Sequence, residues 1–252
     1  MGRKSRIYAA LKLTAGALGL ATGAYASYVG VTWLRYGRPA PARADDVDPL
    51  LDRFMPAYDV AERHHVSVAA PADVTVSASC DMDLQQSPIV RAIFKARELI
   101  LGSEPDTAAR PRGLLALTKS IGWGVLAEVP GREVVMGAVT QPWEANVVFR
   151  PLPPHDFARF NEPGYVKIAW TLRADPVSAA ESTFRTETRA VATDATARTK
   201  FRRYWSFLSP GIIVIRWTML RPLKAEAERR SSAARSASPD VAAPVAAESR
   251  AP

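Results

Sequence analysis

With 252 residues, 48% of them hydrophobic, the chain can bury a proper core and hold one large domain or two small ones. Its net charge of +8 permits nucleic acid or anionic lipid as a partner, but the basic residues are scattered, clustering only near the first apolar segment and at 198–203. No nucleic-acid-binding motif accompanies that charge, so nucleic acid is not expected, and the single cysteine, Cys80, excludes an internal disulfide or a cysteine-built metal cluster.

Leu13 to Leu34 is free of charge and rich in Ala, Gly and Leu, flanked by Lys12 and Arg35, with Tyr25, Tyr28 and Trp33 towards its far end. An apolar run of about 20 residues suits a membrane span, and aromatic residues favour its edges. Residues 1–36 are therefore expected to be a single-pass anchor. The basic start at Arg3, Lys4 and Arg6 and the small residues around Ala24-Tyr25-Ala26 also fit a cleaved signal peptide, although the apolar run continues past that point. A small excess of basic residues before the span predicts a cytoplasmic N-terminus and an extracytoplasmic domain. Ala15, Gly19, Gly23 and Ser27 would let two such helices approach closely as a homodimer, or simply reflect an Ala/Gly-rich anchor.

Gly37 to Asp48, with Pro39 and Pro41, reads as a linker (37–49) before a domain over 50–224. A first strand is expected from Asp59 to Ala69, placing Glu62, His64, Val66 and Val68 on one side and Arg63 and His65 on the other. Pro71 fits the first turn of a short helix to about Cys80, and Ser87-Pro88 opens a second, with Ile89, Ile93, Ala96 and Ile100 at helical spacing. Gly102 to Arg112 carries turn residues and charges without periodicity and reads as a mobile loop. Trp123 to Val129 and Glu133 to Thr140 alternate around Pro130-Gly131, which is a hairpin signature. A further strand is expected at Asn146 to Arg150, a short helix at most at Asp156 to Phe160, and a clear strand from Tyr165 to Ala174 with Val166, Ile168, Trp170 and Leu172 on one face.

Ser182 to Thr193 alternates again: Phe184, Thr186, Thr188, Ala190 and Ala192 point one way, Arg185, Glu187, Arg189 and Val191 the other. Asp194 then caps the longest helical pattern in the chain, with an apolar stripe at Ala197, Phe201, Trp205, Leu208, Ile212, Ile215 and Met219. Pro210 is expected to kink that helix, and Pro222 to end or bend it. Beyond Lys224, Ala225 to Arg230 could extend the helix, whereas the polar, Ala-rich remainder of the tail (225–252) is expected to be disordered from Ser231.

The order of strand, two short helices, antiparallel strands and one long closing helix resembles the helix-grip fold of the SRPBCC superfamily, which includes START domains, Bet v 1-like proteins and polyketide cyclases. The stretches VSVAAPADVTVSA, GWGVLAEVPGREVVMGAVTQPW and STFRTETRAVATDATARTKFRRYW are similar to its members, over about Tyr58 to Leu220. The resemblance implies an α+β domain in which a curved antiparallel sheet grips the long helix, leaving an apolar cavity between them. Trp170, Leu172 and Phe184 would then face Trp205, Leu208 and Ile212, with Trp123 and Trp143 at the rim; taken one by one, such large apolar side chains are core material first and ligand contacts second.

Such a pocket suits a lipid, isoprenoid or polyaromatic ligand. No cofactor is implied, and His64, His65 and His155 lack metal-ligand spacing: the first two project to opposite faces of one strand, and the third lies in a proline-rich loop. Glu187, Arg189 and Arg185 share a strand face and are expected to form an exposed charged ladder; Asp81 and Asp83, near a helix end, are expected to be solvated. Binding or shuttling of a hydrophobic molecule without covalent catalysis is the expectation. The alternatives are a cyclase- or hydrolase-type enzyme using His64 or His65 with Glu187 or Arg189, and a scaffold with a filled core.

Overall fold

The computed structural model describes residues 3–103 and 110–237. Helix α1 spans Arg3–Arg35 and the short α2 spans Pro49–Asp52, its start capped by Asp48 accepting from the Leu51 amide at 2.8 Å. Strand β1 (Val60–Val68) leads into α3 (Ala72–Asp81) and α4 (Pro88–Leu101). The hydroxyl of Ser87 caps α4 and Gly102, at a φ of 69°, closes it. Helix α5 (Leu114–Ser120) follows, which the sequence pattern does not announce.

Strands β2 (Gly124–Val129) and β3 (Glu133–Thr140) form the expected hairpin, and a bulge between Val125 and Ala127 adds to the curvature of the sheet. Of the strand expected at 146–150 only β4 (Phe149–Arg150) forms; it pairs with Val139 and Thr140, continuing the edge beyond β2. After α6 (Pro154–Arg159) come β5 (Val166–Pro176), β6 (Ser182–Ala192) and α7 (Ala195–Ala237). The sheet is antiparallel in the order β1-β6-β5-β3-β2, so the first strand pairs with the last.

The fold is α+β, a curved antiparallel sheet with a long C-terminal helix, as expected. Asp194 starts α7 by accepting from the amides of Thr196 (2.7 Å) and Ala197 (3.0 Å). The helix runs through Pro210 and Pro222 without ending and continues to Ala237, so the expected tail is helical as far as residue 237. Burial explains the extension: Ala227 and Ser231 are buried, and Arg230 pairs with Asp81 at 2.8 Å. Residues 238–252, and 104–109 of the expected loop, lie outside the described residues.

Both faces of the sheet are covered. On one, Val68, Val134, Met136, Trp170, Leu172 and Phe184 pack against Ala78, Leu114, Met219 and Leu223 from the helices. On the other, Val135, Val139 and Ala169 meet Leu51, Phe54 and Met55 around α2 and Phe157 of α6. This second layer buries Glu187 and Arg189, at 5% and 2% exposure, and so corrects the exposed ladder expected from the strand pattern. The segment 45–58 folds back over that face and supplies partners: Arg189 donates to Glu187 Oε1 (2.8 Å), Asp52 Oδ1 (2.5 Å) and the Met55 carbonyl (2.8 Å).

The anchor expected at 1–36 finds no support in the structure. Among the described residues no helix is long and apolar enough to cross a membrane. The later part of helix α1 lies along α7, with Tyr25 Oη donating to the Phe207 carbonyl (2.8 Å) and Tyr28 Oη bonded to Ser209 Oγ (2.9 Å).

Candidate functional site

The alternation of β1 and β6 brings four polar side chains to the face beneath α7. His64 pairs with Thr186 and Glu62 with Thr188, so all four point to the helix side, and Trp170 lies across from Thr188 on β5. From α7, Arg216 descends onto them. It donates to Thr186 Oγ1 at 2.8 Å and Thr188 Oγ1 at 2.5 Å, with its guanidinium 5.6 Å from the Trp170 ring centre.

Burial lowers the Arg216 pKa to about 10, against the opposing charge of Glu62. That is still well above neutral pH, so Arg216 is a cation. Burial, then the charges of Arg216 and His65, push His64 down to about 4, leaving a neutral imidazole at pH 7. Burial raises the Glu62 carboxyl, opposed by Arg216 and Arg63. The His64 Nε2 atom is buried with no hydrogen-bond partner; Glu62 Oε2 stands 4.0 Å away, too far for a bond, and the Trp217 ring covers the imidazole edge-on at 6.4 Å. A fixed cation, a neutral imidazole with an open nitrogen and a carboxylate of raised pKa can recognise one polar end of an otherwise apolar molecule.

Close by, a groove of about 620 Å³ opens between the end of α3, the turn into α4, and residues 218–230 of α7. Ala78, Val90, Met219 and Leu223 form its floor, and Asp81, Asp83, Glu226 and Arg230 its polar rim. Arg230 bridges that rim, at 2.8 Å from Asp81 and 2.7 Å from Glu226. Met219 sits three residues from Arg216, ~4.5 Å along the same face of α7. Met219 and Leu223 also belong to the apolar cluster containing Trp170 and Phe184.

The side chains expected to line one cavity are divided. Trp170 and Phe184 are buried in that first cluster, with Trp123 half-buried against it, its ring 6.0 Å from Trp170 and 4.9 Å from Phe149. Trp205 is buried in another cluster with Phe201, Val60 and Val166, against which Trp143 and Ile212 pack. Leu208 is half-buried. None of the seven lines the groove.

The enzymatic pairing of His64 with Glu187 or Arg189 is not formed, since β1 and β6 place them on opposite sides of the sheet. His65 is exposed, as is His155, 2.8 Å from Asp156. Asp81 is exposed as expected, though paired with Arg230, and Asp83 accepts from the Gln85 amide. Sequence reasoning singles out His64 but misses Glu62 and Arg216. The available signal was Arg216 as the lone charge in the apolar run from Trp205 to Leu220.

No family model matches the chain, and no curated protein matches it. Among solved structures it is similar to the Zhui aromatase/cyclase from Streptomyces sp. R1128, with 16% identity, 69% of this chain and 96% of that one covered, and a TM-score of 0.24. A hypothetical protein from Helicobacter pylori matches with 7% identity, 76% and 99% coverage and a TM-score of 0.35. The di-domain aromatase/cyclase BexL matches with 16% identity, 67% and 46% coverage and a TM-score of 0.22. Likenesses at these scores carry no argument about activity. It is the chain's own element order and strand pairing, with β1 beside the last strand and α7 closing the sheet, that match the helix-grip arrangement its sequence resembles.

Proposed function

We propose that the chain binds a mainly apolar small molecule or lipid with one polar end, taken up through the groove between α3–α4 and α7. The observation that carries this reading is the adjacency of Arg216 to the groove floor: the polar cluster and Met219 share one face of α7 about one turn apart. The groove volume falls within the range of small-molecule sites, about 300–1,000 Å³. Its floor residues Met219 and Leu223 belong to the same packed cluster as Trp170, over whose ring Arg216 lies, so an apolar body seated in the groove rests against the core that carries the polar cluster. No covalent step is needed for this role.

A second reading, proton transfer of the cyclase type, is favoured by one feature, the unpartnered His64 Nε2 beside the raised carboxyl of Glu62.

The test is titration of the full chain with a fluorescent fatty acid, alongside mass spectrometry of its organic extract. Saturable binding is expected, lost in Ala78→Trp, which fills the groove, and weakened about tenfold in Arg216→Met for the carboxylate probe but little for the matching alcohol. Binding unchanged by Ala78→Trp, or no saturable binding, would refute the groove reading. Turnover of an extracted ligand that is lost in His64→Gln would favour the second.

A further inference from the structure

The groove and the polar cluster account for the inward face of α7 but leave its outward face unexplained. Arg203, Phe207, Val214, Trp217 and Arg221 are all exposed, Trp217 to 67% and Phe207 to 47%. They recur at steps of four, seven, three and four, which is one helical stripe, ~27 Å long, with an arginine at each end. Helix α1 lies against its first half through Tyr25 and Tyr28, and there shows its own exposed side chains, including Val31 at 49% and Leu34 at 71%. A patch of aromatic and aliphatic side chains spread over two adjoining helices is more than the scattered exposure of single residues.

Charge identifies the occupant. Every charged residue in 1–44 and in 195–225 is Lys or Arg, while all of the chain's 25 acidic residues lie elsewhere. Arg35, Arg38 and Arg203 make no ion pair among the described residues, and Arg202 lies 4.3 Å over the exposed Trp33 ring. Apolar and aromatic side chains along a helix face, flanked by unneutralised arginines, suit the boundary between headgroups and acyl chains of an anionic bilayer. We propose that α1 and the outward stripe of α7 form a docking surface for an anionic lipid membrane, with Phe207, Val214 and Trp217 reaching the acyl region and Arg203 and Arg221 the headgroups. The stripe lies outside the groove lining, but Trp217 also covers His64 edge-on, so Val214→Cys is the variant that separates this reading from the proposed function.

The experiment uses the full chain carrying Cys80→Ser and one new cysteine, Trp217→Cys or Val214→Cys, labelled with an environment-sensitive fluorophore. Glu128→Cys, exposed on the edge strand β2 at the opposite end of the sheet from β1, is the control. Vesicles of phosphatidylcholine with phosphatidylglycerol are compared with phosphatidylcholine alone, each with and without lipids brominated in the acyl chain. Blue-shifted emission quenched by bromine is expected at 214 and 217 but not at 128. With Arg203→Glu and Arg221→Glu combined, binding to the anionic vesicles should fall about tenfold or more at low salt. Three results would each overturn the proposal: no binding to anionic vesicles, quenching at 214 and 217 no greater than at 128, or lipid-free cross-linking between 217 of two copies, which would make the stripe a dimer interface.

Discussion

Replacing Arg189 by Met tests whether the outer face of β6 is a buried ion network. Arg189 is 2% exposed, donates to Glu187, Asp52 and the Met55 carbonyl, and lies 4.7 Å from the Tyr58 ring centre. Breaking a buried pair while leaving its partner in place costs about 3–5 kcal/mol. Two features favour the lower end: Glu187 keeps Arg63 at 2.8 Å, and Asp52 is 44% exposed and can hydrate. We expect a loss of about 3 kcal/mol, read from the urea midpoint at unchanged m-value. Combining Arg189→Met with Glu187→Leu removes the stranded carboxylate and should recover most of that loss. An exposed ladder would lose under about 1 kcal/mol. A single-variant cost in that range, or a double variant no more stable than the single, would refute the buried network.

Three further outcomes follow from the same structure. Burial, together with the hydrogen bond and charge of Asp48, holds the Glu133 carboxyl at about 8. A carboxyl raised in the folded state binds its proton more tightly there than in the unfolded chain, so its contribution to stability is present below about pH 4.5 and declines as pH rises towards 8. Glu133→Gln should flatten this slope and raise the melting temperature at pH 8 by several degrees, on the order of a few kcal/mol; a parallel pH profile counts against it. Gly122 has a φ of 101°, and a side chain there would run into the Phe149 carbonyl, so Gly122→Ala should cost more than about 2 kcal/mol in urea unfolding. Phe157→Ala empties a fully buried site in the second layer, and a loss of about 3–5 kcal/mol is expected by the same assay.

The parts of the fold legible in the sequence are those in which local pattern and tertiary burial agree. Phe184, Thr186, Thr188 and Ala190 do face α7, and the inward stripe of Ala197, Phe201, Trp205 and Met219 is buried. Asp194 announces the helix start because its partners are two and three residues away. The fate of Glu187 and Arg189 could not be read the same way, because Asp52 and Met55 lie more than a hundred residues upstream. Helix α5 escapes a reading of pattern because it is only seven residues long, with no side-chain cap to mark its start. Both prolines of α7 argue locally against a continuous helix, and packing against α1, α3 and β1 outweighs them. Of the candidate site, His64 is visible as a strand residue, while Arg216 becomes meaningful only once α7 is laid across Thr186 and Thr188.

The pairing of β1 with β6 has a consequence for biosynthesis. Val60 finds Ala190 and Val68 finds Ser182, so the two ends of the domain meet only after everything between them has been made. Closing so long a loop is entropically slow. Until Ala192 leaves the ribosome, the strand bearing His64 has no neighbour and its backbone is an open edge. A nascent or truncated chain ending before that point therefore presents a template for aggregation rather than a smaller stable unit, and chaperone dependence during synthesis should end abruptly once β6 is available.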